Sequence, residues 1–250
     1  MFLFFKKVLH SYLTPRFLFN KVIKDKDFDD LLKSNINQGS ISYKFNRRLR
    51  NLLFFWPTII DADTWIEGDF GKYRDPIHFK DFRPGIDILL MDKILECSSN
   101  VNAPILDLGC NSGRHIEYLY KQGLRNLTGV DIMNNALLFF KDRCPEIHKN
   151  TILLHDFFQR FLRNSPDKQY EIVYSVGATI ELVHPSFDII GEMCRVSSSY
   201  IMLLVQENNH SYPRFYVSEF KKHNFSLIHS IRPILEGDKS VSLLVFNKSY

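Results

Sequence analysis

One short stretch, residues 105–115 with the sequence ILDLGCNSGRH, constrains the fold of this chain more than any other. Its first four residues are aliphatic apart from one acid, which is typical of a buried β-strand. Gly109 and Gly113 then end the strand, because glycine adopts turn conformations that other residues avoid. A helical pattern follows. A strand, a glycine-rich turn and a helix are a common way to hold a nucleotide-like ligand at the carboxyl ends of parallel strands.

The rest of the second half alternates between short β-rich runs and helical patterns such as SGRHIEYLYKQG and PSFDIIGEMCRV. This alternation predicts a mainly parallel sheet covered on both faces. Two last strand-like runs, FSLIHSIRP and KSVSLLVFN, are joined by a loop with Gly237 and Asp238, which predicts a hairpin. We expect an α/β fold with a seven-stranded, Rossmann-like, mainly parallel sheet and an antiparallel C-terminal strand. The strands predicted before the hairpin are 104–108, 127–131, 151–154, 171–176 and 200–205.

The first part of the chain follows a different pattern, so we expect two regions. Residues 1–98 would be a helical and loop extension that covers the substrate, and residues 99–250 would be the sheet domain. Within the extension, residues 85–98 have apolar side chains at helical spacing and predict a helix. The segment DADTWIEGDFGKYRDP, residues 61–76, mixes aromatic residues, acids, glycine and proline without a period. It is a candidate lid.

Basic residues are concentrated at the start of the chain. The formal net charge is +4, yet residues 1–60 hold 11 Lys and Arg against 4 Asp and Glu, a balance of +7. Two interpretations of residues 1–24 stay open: a packed aromatic-rich helix, or a basic amphipathic helix on an anionic membrane surface. No run approaches the roughly 18 apolar residues of a membrane-spanning helix. A basic segment is also compatible with nucleic acid, but alone it supports that partner only weakly.

The cysteines indicate the cellular compartment. There are four, widely spaced and with no CxxC pair: Cys97, Cys110, Cys144 and Cys194. This spacing argues against a disulfide framework and a structural zinc site, and it fits a reducing cytosol. The acids of the candidate lid also lack the spacing of a calcium loop. We therefore predict a cytoplasmic protein with no metal site, membrane-peripheral if residues 1–24 bind a membrane. Nothing in the sequence indicates the oligomeric state.

Two acids at predicted strand ends indicate the kind of ligand. Asp107 precedes the first glycine of the turn, where a carboxylate would repel a pyrophosphate and suits a cation such as an amino-acid ammonium group. Asp131 ends the second strand, 18 residues after Gly113, where an acid can accept both hydroxyls of a ribose. S-adenosylmethionine combines an adenosine ribose with an amino-acid tail. A nucleotide-binding dehydrogenase is an alternative, and Asp107 argues against it.

The motifs ILDLGCNSGRH, LTGVDIMNNAL, LLHDFF and YEIVYSVGATIELVHP resemble those of class I S-adenosylmethionine-dependent methyltransferases. The resemblance covers about residues 100–250, including the final strand pair. It implies methyl transfer from S-adenosylmethionine bound at the strand ends. Asn111 departs from the family pattern, since many members have a glycine there. Asparagine tolerates a left-handed backbone better than most residues, so we expect the turn to survive.

The resemblance implies three groups of cofactor-binding residues. The first, at the end of the first predicted strand, would surround the methionine portion. The second, after the second and third strands, would bind the ribose and adenine. Its Asp156 could instead cap a helix. The third, after the fourth strand, would line the methionine side. In chain order the groups are Asp107, Gly109, Cys110, Asn111 and Gly113; Asp131, Ile132, Asp156 and Phe157; and Val176 and Gly177.

The acceptor is expected to meet the loops after the fourth and fifth strands. An oxygen acceptor must lose a proton, and histidine is the usual base near neutral pH. His184, in the stretch ELVHP, is the first candidate, with helix capping or packing as an equal alternative. Glu181 is the second candidate, with a solvated surface position as its alternative. The loop QENNHSYPRFY, residues 206–216, adds groups suited to a polyhydroxyl or charged acceptor.

The sequence also lacks two signatures of methyltransferases that act on nucleic-acid bases. The Asp/Asn-Pro-Pro-Tyr/Phe tetrapeptide of base-amino enzymes is absent after the fourth strand, where SVGAT stands instead. No cysteine occupies the nucleophile position of base C5 enzymes. We therefore expect O-methylation of a small-molecule or glycan acceptor that is hydroxylated or saccharide-like. An RNA methyltransferase, or an RNA-binding protein that uses the basic N-terminal segment, is the alternative.

Overall fold

A computed structural model describes residues 75–177, 179–183, 187–206, 214, 216–232, 234 and 241–249. The predictions for residues 1–74, including most of the candidate lid and both interpretations of residues 1–24, lie outside these residues. The division into an extension and a sheet domain at residue 98 therefore stays a prediction. The described part of the chain has the expected α/β fold.

The sheet contains seven described strands, and their positions agree with the sequence pattern to within a few residues. They are β1 (Ile105–Leu108), β2 (Leu127–Asp131), β3 (Ile152–His155), β4 (Tyr170–Val176), β5 (Ser197–Val205), β6 (Phe225–Ile231) and β7 (Ser242–Lys248).

The strands are arranged in the order β3-β2-β1-β4-β5-β7-β6. Neighbouring strands from β3 to β5 pair in parallel, whereas β7 pairs antiparallel with both β5 and β6. The predicted C-terminal hairpin is therefore confirmed, and β7 is the reversed strand of the sheet. Because β7 lies between β5 and β6, the edge strand β6 runs in the same direction as β1 to β5.

Helices pack on both faces of the sheet, as the alternation predicted. Their bounds are α1 (Asp87–Cys97), α2 (Arg114–Lys121), α3 (Asn134–Arg143), α4 (Pro145–Lys149), α5 (Phe158–Asn164), α6 (Thr179–Leu182), α7 (Ile189–Val196) and α8 (Tyr216–Lys221), with a 3₁₀ turn at Pro76–Phe79. One core contains apolar residues of α1, α2 and α3, and the other contains those of α5, α6, α7 and α8. Among the described helices, none has the length and apolar content needed to cross a bilayer.

The strand order creates a crevice at the carboxyl end of the sheet. The strand β1 lies between β2 and β4, and the helices that follow β1 and β4 pack on opposite faces. In open α/β sheets a ligand binds at such a switch point, because the two connections diverge there and leave room. The glycine turn follows β1 directly, so it lies at this crevice.

Candidate cofactor and acceptor site

The glycine turn has the left-handed backbone that the sequence suggested. The φ angles are 87° at Gly109, 45° at Asn111 and 71° at Gly113. Asn111 therefore adopts the conformation for which the family pattern uses glycine, and its side-chain oxygen accepts a hydrogen bond from Ser112 N at 2.7 Å. Gly113 is also required by packing, because a Cβ atom there would lie 2.5 Å from the ring of Phe140.

Hydrogen bonds connect the turn to the end of β2. Gly109 N and Cys110 N both donate to Val130 O, at 2.9 and 3.2 Å. One carboxylate oxygen of Asp131 accepts from Asn111 N and the other from Met133 N, both at 2.8 Å. Burial raises the pKa of Asp131, and these backbone donors counteract that rise. Each carboxylate oxygen can accept a second bond, so Asp131 keeps two acceptor positions for a pair of ligand hydroxyls.

Asp107 is buried within β1 and is satisfied at only one of its two oxygens. Its side chain is about 1% exposed, and its Oδ2 accepts from the hydroxyl of Tyr174 at 2.9 Å. Within the described ranges, Oδ1 has no hydrogen-bond partner. Burial raises the pKa of Asp107 to about 7, although the Tyr174 hydrogen bond works in the opposite direction. A cationic ligand group beside Oδ1 would satisfy this atom and favour the carboxylate form.

A cluster of four charged or titratable residues around Asp87, next to Asp107, was not singled out in the sequence: Arg83, Asp87, Arg114 and His115. Asp87, at the start of α1, accepts from Arg83 Nη2 at 2.7 Å and Arg114 Nε at 2.9 Å. The ring of His115 lies between the two acids, with Nε2 3.3 Å from Asp87 Oδ2 and Nδ1 4.0 Å from Asp107 Oδ2. The sequence contained one sign that Asp87 is buried. Asp87 lies three, four and seven residues before Leu90, Met91 and Ile94, so it shares the buried face of the helix with these apolar residues.

The surroundings shift the pKa values of the two acids in opposite directions. Burial works to raise the pKa of Asp87, but hydrogen bonds from His115 and Arg83 and the charge of Arg114 outweigh it. They hold the pKa of Asp87 well below its usual range. Burial lowers the pKa of His115, which favours the neutral ring. The cluster therefore provides an ionised Asp87 beside an Asp107 that titrates near neutrality.

The residues predicted for the adenine side lie at the ends of β2 and β3. Asp156 N donates to Asp131 O at 3.1 Å, so the two strand ends are adjacent. The carboxylate of Asp156 accepts from Phe157 N at 2.7 Å and also pairs with Arg160, whose guanidinium lies 5.5 Å from the centre of the Phe157 ring. Ile132 and Phe157 are half-buried. The arrangement places two apolar side chains and an acid near the predicted ribose acceptor.

The end of β4 borders the same crevice. Val176 is half-buried, and Gly177 has φ 72° and donates from its backbone N to Leu204 O at 2.8 Å. A Cβ atom at Gly177 would meet nothing within 4 Å, among the described atoms. The backbone conformation rather than tight packing therefore requires glycine at this position.

Of the two candidate bases, Glu181 lies among the described residues and His184 does not. Glu181 is buried in α6 rather than solvated on the surface, and it accepts from Gln206 N at the end of β5. This contact joins the loops after β4 and β5. His184 lies outside the described residues, as do residues 207–213 of the polar loop. The described Arg214 is buried and donates to Val183 O at 2.7 Å, which joins the same two loops. The catalytic assignments stay predictions.

The site has the features that a ligand with an ammonium group and vicinal hydroxyls would need. Asp107 Oδ1 offers a buried acceptor, and Asp131 offers two acceptor positions. The buried hydroxyl of Ser112, in the turn, also lacks a partner within the described part of the chain. The same part holds no group of three or more His, Cys, Asp or Glu placed to bind a metal.

Comparison with known proteins agrees with this geometry. A family model described as a methyltransferase domain matches residues 105–199. A search of curated protein sequences finds no match.

Three solved structures illustrate the similarity of fold. A methyltransferase in a complex with the Haloferax volcanii Trm112 activator is 12% identical with a TM-score of 0.58, over 76% of this chain and 98% of that one. Magnesium protoporphyrin IX methyltransferase from Synechocystis, with bound S-adenosylmethionine, is 12% identical with a TM-score of 0.57, over 75% and 95%. A Mesorhizobium loti S-adenosylmethionine-dependent methyltransferase is 11% identical with a TM-score of 0.52, over 63% and 96%.

These likenesses show the fold, and the family match adds the activity. The predicted family, fold and cofactor are thereby confirmed, whereas the acceptor is not determined. The chain therefore contains a class I S-adenosylmethionine-dependent methyltransferase domain over residues 105–199.

Proposed function

We propose that the enzyme methylates an oxygen of a small hydroxylated or saccharide-like acceptor. The observation that carries this proposal is the loop after β4, which begins beside the glycine turn because β1 and β4 are neighbours. This loop contains Glu181 and His184, two groups able to accept a proton, instead of the tetrapeptide of base-amino methyltransferases. The polar residues 206–216 come directly after β5 in the sequence, and β5 runs parallel to β4.

On the donor side, we assign the cofactor contacts to the ends of β1, β2 and β3. Asp107 accepts the ammonium group through Oδ1, and Asp131 accepts the ribose hydroxyls. Asp156 faces the adenine amino group, while Ile132 and Phe157 pack against the ring. The turn of Gly109, Cys110, Asn111 and Gly113 passes beside the methionine portion, with Val176 and Gly177 on its other side. The buried acceptor atoms of Asp107 and Asp131 support this assignment.

S-adenosylmethionine supplies an activated methyl group on a sulfonium. The protein therefore has to align the acceptor oxygen, exclude water and accept the proton that this oxygen loses. His184 is the proposed base, because histidine is the side chain most often used to accept a proton near neutral pH. Glu181 is the second candidate. Its burial and its bond to Gln206 N also suit it to positioning the loop that carries His184.

The test is transfer of a labelled methyl group to panels of polyols, saccharides and RNA. We expect product with a hydroxylated small molecule, and a fall in kcat of about 10²- to 10⁴-fold in His184→Asn. Cofactor affinity should stay unchanged in that variant, and the rise of rate with pH near 6.5 should disappear. The matched control is His78→Asn, which changes an exposed histidine that is distant from His184 in the sequence.

Two results would contradict the proposal. Transfer to RNA alone, with a steep dependence on salt, would favour the RNA methyltransferase and give the basic residues 1–60 a role in substrate binding. An unchanged kcat in His184→Asn would remove the proposed base, and Glu181→Gln would then test the second candidate.

A further inference from the structure

Tyr174 is a buried tyrosine in the middle of the sheet, directly opposite Asp107. The two residues are paired in the register of the parallel strands β1 and β4. Tyr174 is fully buried, and its hydroxyl donates to Asp107 Oδ2 at 2.9 Å. A tyrosine hydroxyl in an apolar core needs a partner, so this bond fixes both the ring and the carboxylate.

The second neighbour of the same oxygen is His115. Its Nδ1 lies 4.0 Å from Asp107 Oδ2, and its ring is edge-on to Tyr174 with centroids 6.2 Å apart. On its far side, Nε2 lies 3.3 Å from Oδ2 of Asp87, which Arg114 also contacts. The contacts of Tyr174 and His115 with Asp107 both involve its Oδ2. The other, Oδ1, has no partner in the part of the chain that the structure describes.

We propose that Tyr174 is a positioning residue that fixes Asp107 through Oδ2, so that Oδ1 is left to accept the ammonium group of S-adenosylmethionine. This inference rests on the proposed role of Asp107 in donor binding. Tyr174 does not contact the ligand in this arrangement. It acts through the carboxylate, by setting both its orientation and its charge.

The effect on charge follows from the surroundings of Asp107. Burial raises the pKa of Asp107 to about 7, and the Tyr174 hydrogen bond is the largest of the contributions that lower it. Removal of the hydroxyl therefore raises the pKa further and leaves less carboxylate at neutral pH. The ammonium group would then meet a neutral acid more often. The groups that face Asp107 are Tyr174 from β4, Asp131 from β2, Cys110 from the turn, Arg114 and His115 from α2, and Asp87 from α1.

The experiment is calorimetric titration of S-adenosylhomocysteine into wild type and Tyr174→Phe between pH 6 and pH 8.5. We expect wild-type affinity to increase with pH through about 7. For a shift of about one pKa unit, the affinity of Tyr174→Phe should be about tenfold weaker at pH 6 and about fivefold weaker at pH 7, and the deficit should shrink towards pH 8.5. Tyr170→Phe is the matched control. It removes a buried hydroxyl from the same strand, where the partner is Thr128 instead of an acid.

A second ligand separates positioning from general damage. 5′-Methylthioadenosine keeps the adenosine but lacks the amino-acid tail, so its affinity should be equal in wild type and Tyr174→Phe at every pH. An equal, pH-independent loss of both ligands in Tyr174→Phe would overturn the proposal. Failure of wild type to bind either ligand would instead contradict the donor site itself.

A comparison that does not depend on the folding of Tyr174→Phe uses Asp107→Asn. The affinity of wild type for S-adenosylhomocysteine should rise through pH 7, whereas that of Asp107→Asn should be weak and flat. A flat wild-type profile would overturn the proposal, because Asp107 would then not be the group whose ionisation Tyr174 supports.

Discussion

At the ends of β1 and β2, the proposed donor contacts are buried groups that bond to neighbouring residues of the site, whereas the proposed acceptor contacts come from the chain segments that follow β4 and β5. The donor half contains Asp131, which accepts from the glycine turn, and Asp107, which accepts from Tyr174. The acceptor half joins its loops through Glu181 and Arg214. The donor half is thus pre-organised by short connections, and the acceptor half depends on loop residues whose number and chemistry can vary.

The largest expected effect on stability comes from Asp87, which anchors α1 to the donor half. Asp87→Asn would leave the mostly buried Arg114 without its carboxylate partner, which typically costs about 3–5 kcal/mol. The measurement is the free energy of unfolding in urea at pH 7. Glu96→Gln, on the exposed side of the same helix, is the control and should change stability little. An equal effect of the two substitutions would contradict a structural role for the buried cluster.

Two glycines with nearly equal φ angles, one in each half, allow the packing of the two halves to be compared. Gly113 has φ 71° and Gly177 has φ 72°, but only Gly113 lacks space for a Cβ atom. Gly177→Ala should cost about 1–2 kcal/mol from backbone strain alone. Gly113→Ala should add about 1–3 kcal/mol of overpacking against Phe140. Equal losses, measured by denaturant unfolding, would show that the turn can relax away from Phe140.

Asp107 should make the ligand-free protein less stable as the pH rises. Its folded pKa is about 7 and its unfolded value about 3.9, so the native state holds the extra proton between these values. Stability due to this group therefore falls between about pH 4 and pH 7, by at most about 1.4 kcal/mol per pH unit. Asp107→Asn removes this ionisation. The free energy of unfolding of the variant, relative to that of wild type, should therefore increase as the pH rises from about 4 to about 7. Parallel melting-temperature profiles would contradict this.

The smallest expected effect is that of Glu181→Gln on stability. A glutamine oxygen can still accept from Gln206 N, so the change in unfolding free energy should be about 1 kcal/mol or less. Glu181→Ala should cost more, because it removes the acceptor and opens buried space. A large loss in Glu181→Gln would mean that the charge itself stabilises the acceptor half.

The sequence predicted the features that local patterns encode. The predicted strand 127–131 coincides with β2, and the left-handed turn at Asn111 was anticipated from the tolerance of asparagine for that backbone. The hydrogen bonds from Tyr174 to Asp107 and from Arg114 to Asp87 were missed, because they join residues 67 and 27 positions apart. Strand order and register decide such contacts. The acceptor could not be predicted for another reason, since residues 206–216 have no periodicity that relates sequence to position.

The central claim is that the chain binds its methyl donor at the ends of β1 and β2, with Asp131 as the ribose acceptor. The most direct test is calorimetric titration of S-adenosylhomocysteine into wild type and Asp131→Ala, with thermal melting to show that both are folded. Two lost charge-assisted hydrogen bonds correspond to about 3–6 kcal/mol, so the affinity of the variant should fall at least about 100-fold. Absence of binding to wild type, or equal binding to a folded Asp131→Ala, would contradict the claim.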